Sequence, residues 1–137
     1  MANTIAIDGA IDGGVGGAYV WLGGNDFANE GNWTWDGKNE GNGIQFWDGN
    51  TTNGARQVGG LFNNWGGTAN GPQIEPDDFN NSQDALAMSL NGWGNGIAGE
   101  WNDLDENNTL YFVVKYNGTI NDTNLAFGFN SDAVRIF

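Results

Sequence analysis

Three short clusters of acidic and amide side chains are spaced so that they could bind a hard cation. The first spans residues 25–31 and contains Asp26 and Glu30, the second lies at 75–84, and the third is the run at 100–105. Carboxylate and amide oxygens are the ligands that Ca2+ prefers, and it takes about six to eight of them in flexible geometry. The acids of the second cluster would repel one another unless a cation lies among them. The spacing therefore predicts calcium binding, with a solvated acidic loop as the alternative.

The composition excludes several other kinds of chemistry. The chain contains no His and no Cys, which excludes a Ser–His or Cys–His nucleophile, a His/Cys zinc site and disulfide bonds. Four basic residues against seventeen acidic ones give a net charge of −13, which repels phosphate backbones and anionic headgroups. No apolar run approaches the roughly 20 residues of a spanning helix. We therefore expect no nucleic-acid partner and no membrane insertion.

The elements that must position these oxygen ligands are mainly strands. The length of 137 residues fits a single domain, 1–137. Apolar and polar residues alternate in short runs that predict strands, and clusters of Gly, Asn and Asp separate them as turns. The predicted strands are residues 18–22, 33–35, 44–47, 86–90 and 111–116, with a weaker candidate at 125–129 together with 134–137.

One long segment has no strand pattern. Residues 63–83 contain Trp65, Ile74 and Phe79 as isolated large apolar residues among Gly, Asn, Pro and Asp. A loop of about twenty residues in a compact domain is uncommon and is usually functional or disordered. A scaffold that presents oxygens from strand ends and from one such loop can assemble a multi-oxygen cation site.

Several motifs occur in an order that resembles the C-type lectin-like domain, in the cysteine-free form of large bacterial surface proteins. The resemblance covers residues 21–116 and leaves 117–137 as a C-terminal extension. The motifs are Trp21-Leu22-Gly23-Gly24, Glu30-Gly31 with Trp33 and Trp35, Asp36-Gly37, Phe46-Trp47, Phe62-Asn63-Asn64-Trp65, Glu75-Pro76-Asp77, Trp101-Asn102-Asp103 and the strand at 111–116.

This resemblance implies an α+β fold with a long calcium-binding loop, although strands and loops dominate this chain. The family has a strand and two helices before its WIGL-type strand, and here only twenty residues precede Trp21. The N-terminal helices are therefore expected to be missing. We also hypothesise that the extension at 117–137 pairs in the sheet.

The resemblance further implies two calcium sites and a cis peptide bond before Pro76. At one site, two vicinal sugar hydroxyls complete the coordination of the ion, and Phe79 could stack on the sugar. That sugar site would consist of Glu75, Asp77, Gln83, Asn102 and Asp103. The accessory site would consist of Asp26, Glu30, Asp78 and Asp84. The tryptophans interpreted as core are Trp65, which the family buries under the loop, and Trp21, Trp33, Trp35, Trp47 and Trp101.

The proposed sugar site departs from the family pattern at two positions. Its triplet is Glu-Pro-Asp, a hybrid of the usual forms, and Gln83 stands where the family usually has Glu. The total charge still suits calcium, but Glu75 and Asp77 now both accept hydrogen bonds, whereas Gln83 and Asn102 both donate. Glu75 at the first position favours mannose- or fucose-type diols over galactose.

The function expected from these features is a lectin or adhesin module that binds a glycan through one or two calcium ions. The resemblance implies a location outside the cell or at its surface, within a larger multidomain protein. The alternative is a protein- or ice-binding module on the same fold in which calcium is only structural. A third hypothesis is a glycoside hydrolase with a carboxylate pair such as Glu75 and Glu100. We expect no enzymatic activity, because these acids already have a ligand role.

Overall fold

The computed structural model describes residues 18–36, 41–51 and 54–113. Strands and loops dominate this part of the chain, as expected, and its helical elements are two short 3-10 turns, Thr68–Asn70 and Phe79–Asn81. The strands are β1 (Tyr19–Asn25), β2 (Asn32–Trp35), β3 (Ile44–Asp48), β4 (Arg56–Gln57), β5 (Ala85–Ser89), β6 (Trp101–Leu104) and β7 (Tyr111–Phe112). The predicted strands at 125–129 and 134–137 lie outside the described residues.

The seven strands belong to one sheet with the order β4-β3-β2-β1-β5-β6, in which neighbours are antiparallel. β7 pairs in parallel with the first half of β1, where Val20 lies opposite Tyr111. β2 takes the same edge of β1 further along, at Gly24 and Asn25. β1 is therefore the central strand, with β5 on one side and both β7 and β2 on the other.

A bulge in β1 lies directly before the first acidic cluster of the sequence. Between Trp21 and Asn25, four steps along β1 match only two steps along β5. Extra residues of this kind bend a strand and redirect its side chains. The chain leaves β1 at Asp26 beside the start of β5, where the Asp26 N–H donates to the carbonyl of Asp84 at 3.2 Å.

Most of the predicted strands are confirmed, with shifts of up to three residues at their ends. The segments 18–22, 33–35, 44–47 and 86–90 correspond to β1, β2, β3 and β5. The predicted strand at 111–116 is described as far as residue 113 and is strand at its first two positions. The sequence does not predict β4 or β6. Fully buried Asn102 and Asp103 stand side by side in β6, so the alternation that indicates a strand is absent there.

The sheet carries a hydrophobic cluster on each face. Leu86 and Ala87 are neighbours in β5 and belong to different clusters, as the alternation of side chains in a strand requires. The smaller cluster contains Tyr19, Ala87, Trp93 and Leu104. The larger, mainly aromatic cluster contains Trp33, Phe46, Trp47, Trp65, Leu86 and Trp101.

Trp65 from the long loop lies at the centre of the larger cluster. Its ring centroid is 4.9 Å from that of Trp33, 6.2 Å from that of Trp47 and 6.0 Å from that of Trp101. All four rings are buried, which confirms that they are core residues. Trp35 at the end of β2 is different, because 37% of its surface is exposed. The interpretation of Trp35 as a core residue is therefore corrected to a partly exposed residue whose ring stacks on that of Phe46.

The long loop is fixed to the sheet at two points before its acidic part. The Trp101 N–H donates to the Asn64 carbonyl and the Gly66 N–H donates to the Trp101 carbonyl, both at 2.8 Å. Further along, the carbonyl of Pro76 accepts a hydrogen bond of 2.9 Å from the Thr51 N–H. These backbone contacts bring the middle of the long loop next to β6 and to the turn after β3.

Candidate metal-binding site

Three acids that the resemblance assigns to the sugar site lie together in the structure. Glu75, Asp77 and Asp103 each offer a carboxylate oxygen, and these oxygens lie within 4.8 Å of one another. We call these residues the first acidic group. Glu75 and Asp103 are buried and Asp77 is half-buried. The peptide bond between Glu75 and Pro76 is cis, as the resemblance implies.

Asp103 connects β6 to the acidic part of the long loop. Its Oδ1 accepts a hydrogen bond of 3.2 Å from the Asp77 N–H, and its Oδ2 accepts one of 2.7 Å from the Asp78 N–H. Burial raises the pKa of Asp103, the hydrogen bond from Asp78 partly offsets this rise, and the charge of Asp77 adds to it. A positive ion would favour the charged form of this carboxyl group.

The loop between Asp77 and Gln83 closes on itself through the backbone of Phe79. The Phe79 N–H donates both to Asp77 Oδ1 at 3.1 Å and to Gln83 Oε1 at 2.9 Å. The Gln83 N–H in turn donates to Asp78 Oδ1 at 3.4 Å. The Phe79 ring is 40% exposed, so it lies at the rim of the group and in contact with solvent.

The same short segment contains three non-glycine residues in the left-handed backbone region. The φ angles of Asp78, Asn80 and Asn81 are 48°, 62° and 53°. Each such residue costs on the order of 1 kcal/mol and persists only where the surroundings hold it. Asn and Asp tolerate this region better than most residues. Local strain of this kind clusters at ligand sites, which agrees with the position of the segment beside the first acidic group.

Asn102, the fifth predicted ligand of the sugar site, is fully buried in β6 next to Asp103. Its Nδ2 donates to the hydroxyl oxygen of Tyr19 at 3.2 Å. Tyr19 belongs to the smaller hydrophobic cluster, so the side-chain nitrogen of Asn102 faces that side of the sheet. This contact cannot be predicted from the sequence, because it depends on the pairing of β1, β5 and β6. The role of Asn102 as a metal ligand stays a prediction.

A second group contains Asp26, Glu30 and Asp84, whose carboxylate oxygens also lie within 4.8 Å of one another. We call these residues the second acidic group. Asp26 and Glu30 belong to the turn after β1, and Asp84 directly precedes β5. The turn is held by a hydrogen bond of 2.8 Å from the Gly31 N–H to Asp26 Oδ2. Gly31 has a φ of 76° and packs against Gly49, where a Cβ would lie 3.3 Å from Gly49 Cα.

Asp26 is the most deeply buried residue of the second acidic group. The residue is 2% exposed, and its Oδ1 is a buried atom with no hydrogen-bond partner among the described residues. Burial raises the pKa of Asp26 to about 8; the hydrogen bond from Gly31 opposes this rise, and the charges of Glu30 and Asp84 add to it. A buried polar atom without a partner is costly, so an atom of this kind points to a ligand that the oxygen could bind.

Asp78, the fourth predicted accessory ligand, lies between the two groups. Its charge raises the pKa of Glu30, after partial desolvation as the larger cause, and it also contributes to the raised pKa of Asp84. Two further acids lie near Asp84: Asp105, which the sequence analysis places in the third cluster but not at this site, and Glu106, which it does not single out. Asp105 and Glu106 raise the pKa of Asp84 as well, behind desolvation. Their proximity follows from the pairing of β5 with β6, a strand that the sequence does not reveal.

The residues of both groups fit a hard metal ion. Each group offers only carboxylate oxygens, and neighbouring amides and carbonyls add more of the same donor type. The Arg56 side chain pairs with Asp48 at a different part of the sheet, so this arginine does not neutralise either acidic group. An ion in the second acidic group could bind Asp26 Oδ1 and oppose the mutual repulsion of the three carboxylates. The two groups could therefore each hold a metal ion.

Comparison of the chain with protein-family models, with curated proteins and with solved structures finds no match. Among the described residues, no helix has the length and the apolar character that a membrane span requires. The described part of the chain is thus a strand- and loop-dominated domain with two acidic groups that could hold metal ions. Its function has to be argued from these groups and from the sequence motifs that form them.

Proposed function

We propose that this chain is a calcium-dependent carbohydrate-binding module with a C-type lectin-like fold. One observation carries the proposal: two groups of three carboxylates, drawn from segments distant in sequence, each come within 4.8 Å. Their members are those that the resemblance assigns to two calcium sites. Like charges repel, so acids that served only solubility would be expected to stay apart on the surface.

Calcium suits these donors better than a softer metal. The chain has no His or Cys, and carboxylate, carbonyl and water oxygens favour Ca2+ or Mg2+. Irregular loops supply the flexible arrangement that Ca2+ accepts and that Mg2+ accepts less readily. The proposed ligands of the sugar-site ion are Glu75, Asp77, Gln83, Asn102 and Asp103. Those of the accessory ion are Asp26, Glu30, Asp78 and Asp84.

The residues of the first acidic group and its rim would orient a vicinal diol. A bound calcium ion would supply coordination positions for the two hydroxyl oxygens of the sugar. Glu75 and Asp77 can accept hydrogen bonds from these hydroxyls. Gln83 Oε1 accepts from the Phe79 N–H and keeps a second lone pair for the ion, so Gln83 would meet a sugar hydroxyl through its amide nitrogen as a donor. The exposed Phe79 ring offers an apolar surface to the sugar, and the expected ligands are mannose- or fucose-type diols.

A protein- or ice-binding module in which calcium is only structural is the second candidate. The burial of Glu75 and Asp103 favours it, because a buried ion leaves fewer positions open to a sugar. The third hypothesis, a glycoside hydrolase, has less support. The Glu100 carboxylate accepts hydrogen bonds from the Ile97 N–H and from the Thr68 hydroxyl, so it holds the loop together. The absence of enzymatic activity remains our expectation.

The proposal also implies where the module would work. Calcium sites of extracellular modules operate at about 0.1 to 1 mM calcium, a level found outside cells. We therefore propose a secreted or cell-surface location, within a larger multidomain protein that the module would attach to a glycan or glycoconjugate.

Two conservative substitutions, one at each proposed site, test the two sites independently. Glu75→Gln should abolish glycan binding and remove one calcium from the stoichiometry in titration calorimetry, because it neutralises a ligand of the sugar-site ion. Asp84→Asn should weaken binding of the other calcium ion, at the second acidic group. Asp48→Asn is the matched control, since Asp48 lies in β3 and pairs with Arg56. If Glu75→Gln binds calcium and glycan as Asp48→Asn does, the site assignment is wrong. Calcium binding without any glycan binding would favour the second candidate.

A further inference from the structure

The acids around the two proposed calcium sites carry more charge than two calcium ions would neutralise. The first and second acidic groups contribute three carboxylates each. Asp26 Oδ1, a buried atom with no hydrogen-bond partner among the described residues, points to an ion in the second acidic group. Asp78 lies between the groups, because its N–H donates to Asp103 and its charge acts on Glu30 and Asp84. Metal ligands of this type bind in their charged form, so each group keeps one negative charge when a doubly charged ion binds.

Asp105 and Glu106 extend this acidic surface beyond the proposed ligand sets. The last register pair of β5 and β6 directly precedes Asp105, which brings this residue beside Asp84. Asp105 Oδ1 accepts hydrogen bonds from the N–H and the side-chain nitrogen of Asn107, at 2.9 and 2.8 Å, and Glu106 is exposed. With Asp78, these two residues bring the acids at the sites to nine. Two calcium ions supply four positive charges, so five negative charges remain.

The basic residues of the chain are too few to cancel this excess. Within the described ranges the one basic residue is Arg56, which pairs with Asp48 in β3. The other three, Lys38, Lys115 and Arg135, lie outside the described residues. Wherever these three side chains lie, their charges are fewer than the five negative charges that remain. The calcium-loaded site therefore stays negative.

We infer that the calcium-loaded module selects its glycans by charge: it binds neutral and amine-bearing sugars and rejects sugars that carry carboxylate, phosphate or sulfate groups. This inference rests on the proposed function, because the diol still binds through the sugar-site ion. Like charges across an interface oppose binding, whereas opposite charges favour it. Five excess charges at about 10 Å from a charged sugar substituent change the affinity by about tenfold at about 10 mM salt. The change falls to about threefold at about 0.15 M salt, where the screening length is about 8 Å.

Three sugars that differ at one carbon atom test the inference. Methyl mannoside and its derivatives with an amine or a carboxylate at C6 share the ring hydroxyls at C2, C3 and C4 and differ in charge. Each competes with an immobilised mannose glycan for the full chain, in calcium at pH 7. At about 10 mM salt the affinities should fall in the order amine, neutral, carboxylate, with steps of about tenfold that shrink to about threefold at about 0.15 M salt.

The outcomes of this competition distinguish the inference from the proposed function. Equal affinities of the three sugars, or tightest binding of the carboxylate, would overturn the inference and leave calcium-dependent glycan binding intact. Binding of none of the three sugars would contradict the proposed function and the inference together.

A double substitution outside the proposed ligand sets separates the effect of charge from that of calcium binding. Asp105→Asn with Glu106→Gln keeps an acceptor oxygen for Asn107 and removes two of the five remaining charges. At about 10 mM salt it should reduce the preference for the amine over the neutral sugar from about tenfold to about fourfold. The affinity for the neutral sugar should not change. Asp48→Asn is the control, because Asp48 pairs with Arg56 in another part of the sheet. An unchanged preference in the double variant, or an equal reduction in the control, would overturn the inference.

Discussion

Replacing Asp26 with Asn tests the second acidic group directly. Asp26 is 2% exposed, its Oδ2 accepts from the Gly31 N–H at 2.8 Å, and its Oδ1 is buried without a hydrogen-bond partner among the described residues. Its pKa is raised to about 8, mainly by burial, so without a metal the side chain is largely protonated at neutral pH. Asn has nearly the shape of this protonated form and keeps an oxygen for Gly31. We therefore expect Asp26→Asn to fold.

Without calcium, Asp26 destabilises the folded chain as the pH rises. The folded form keeps its proton up to about pH 8, whereas the unfolded chain releases it near 3.8. The free energy of unfolding therefore falls by about 1.4 kcal/mol per pH unit between these values and levels off above pH 8. Asp26→Asn removes this contribution. In EDTA at pH 8 the variant should be more stable than the unmodified chain by on the order of 3 to 5 kcal/mol.

Calcium should reduce this difference in stability between Asp26→Asn and the unmodified chain. Calcium at 100 times its dissociation constant adds about 2.7 kcal/mol to the stability of a protein with one site. The unmodified chain should gain this amount and Asp26→Asn only a small part of it, because the variant lacks a charged ligand. Urea denaturation at pH 8 in EDTA and in calcium measures both quantities, with Asp48→Asn as the control. If Asp26→Asn is destabilised equally in both conditions, Asp26 only holds the turn at Gly31 and the reasoning is refuted.

Three further predictions concern the two acidic groups and their rim. Below pH 8 the calcium affinity of the second acidic group should fall by up to about tenfold per pH unit, because calcium must displace the proton of Asp26, as calorimetry from pH 6 to 8 can measure. In calcium at pH 7, Asp103→Ala should lower the free energy of unfolding by about 2 kcal/mol or more, since the N–H groups of Asp77 and Asp78 lose their acceptor. Phe79→Ala should weaken glycan binding in a direct binding assay and leave the stabilisation by calcium unchanged.

Each of these predictions has a contrary outcome. A calcium affinity that does not change from pH 6 to 8 would exclude Asp26 as a ligand. Unchanged urea denaturation of Asp103→Ala would mean that its carboxylate does not hold the loop. For Phe79 the control is Phe62→Ala, because Phe62 is even more exposed, at 72%, and its ring contacts that of Trp101. Equal effects of the two substitutions on glycan binding would contradict a specific role for Phe79.

The part of the fold that could be predicted from the sequence is the part with regular alternation. β1, β2, β3 and β5 each have apolar residues on one face at least, and their turns are rich in Gly and Asn. β6 could not be predicted, because Asn102 and Asp103 are polar yet buried, so the alternation that indicates a strand is absent. The exposure of Trp35 was missed for a related reason. Its residue type predicts burial, but the contacts of its ring with Phe46 and Trp101 leave 37% of its surface exposed.

The grouping of the acids could be predicted from motif order, but their energetics could not. The motifs assign Glu75, Asp77 and Asp103 to one site, and the structure brings these three residues together. The pKa of Asp26 is raised mainly by the burial of this side chain, which directly follows the bulge in β1. A bulge leaves no pattern in the sequence that distinguishes it from an ordinary glycine-containing strand. The contact of Asn102 with Tyr19 likewise cannot be predicted from the sequence, because it joins β6 and β1.

Calcium-dependent glycan recognition can be tested by binding of the unmodified chain to a panel of immobilised glycans in calcium and in EDTA, with thermal melting measured in both buffers. We expect binding to glycans with accessible mannose- or fucose-type diols, loss of that binding in EDTA, and a higher melting temperature in calcium. A higher melting temperature without glycan binding would contradict the carbohydrate part of the claim. Identical melting and binding in both buffers would contradict the calcium part as well.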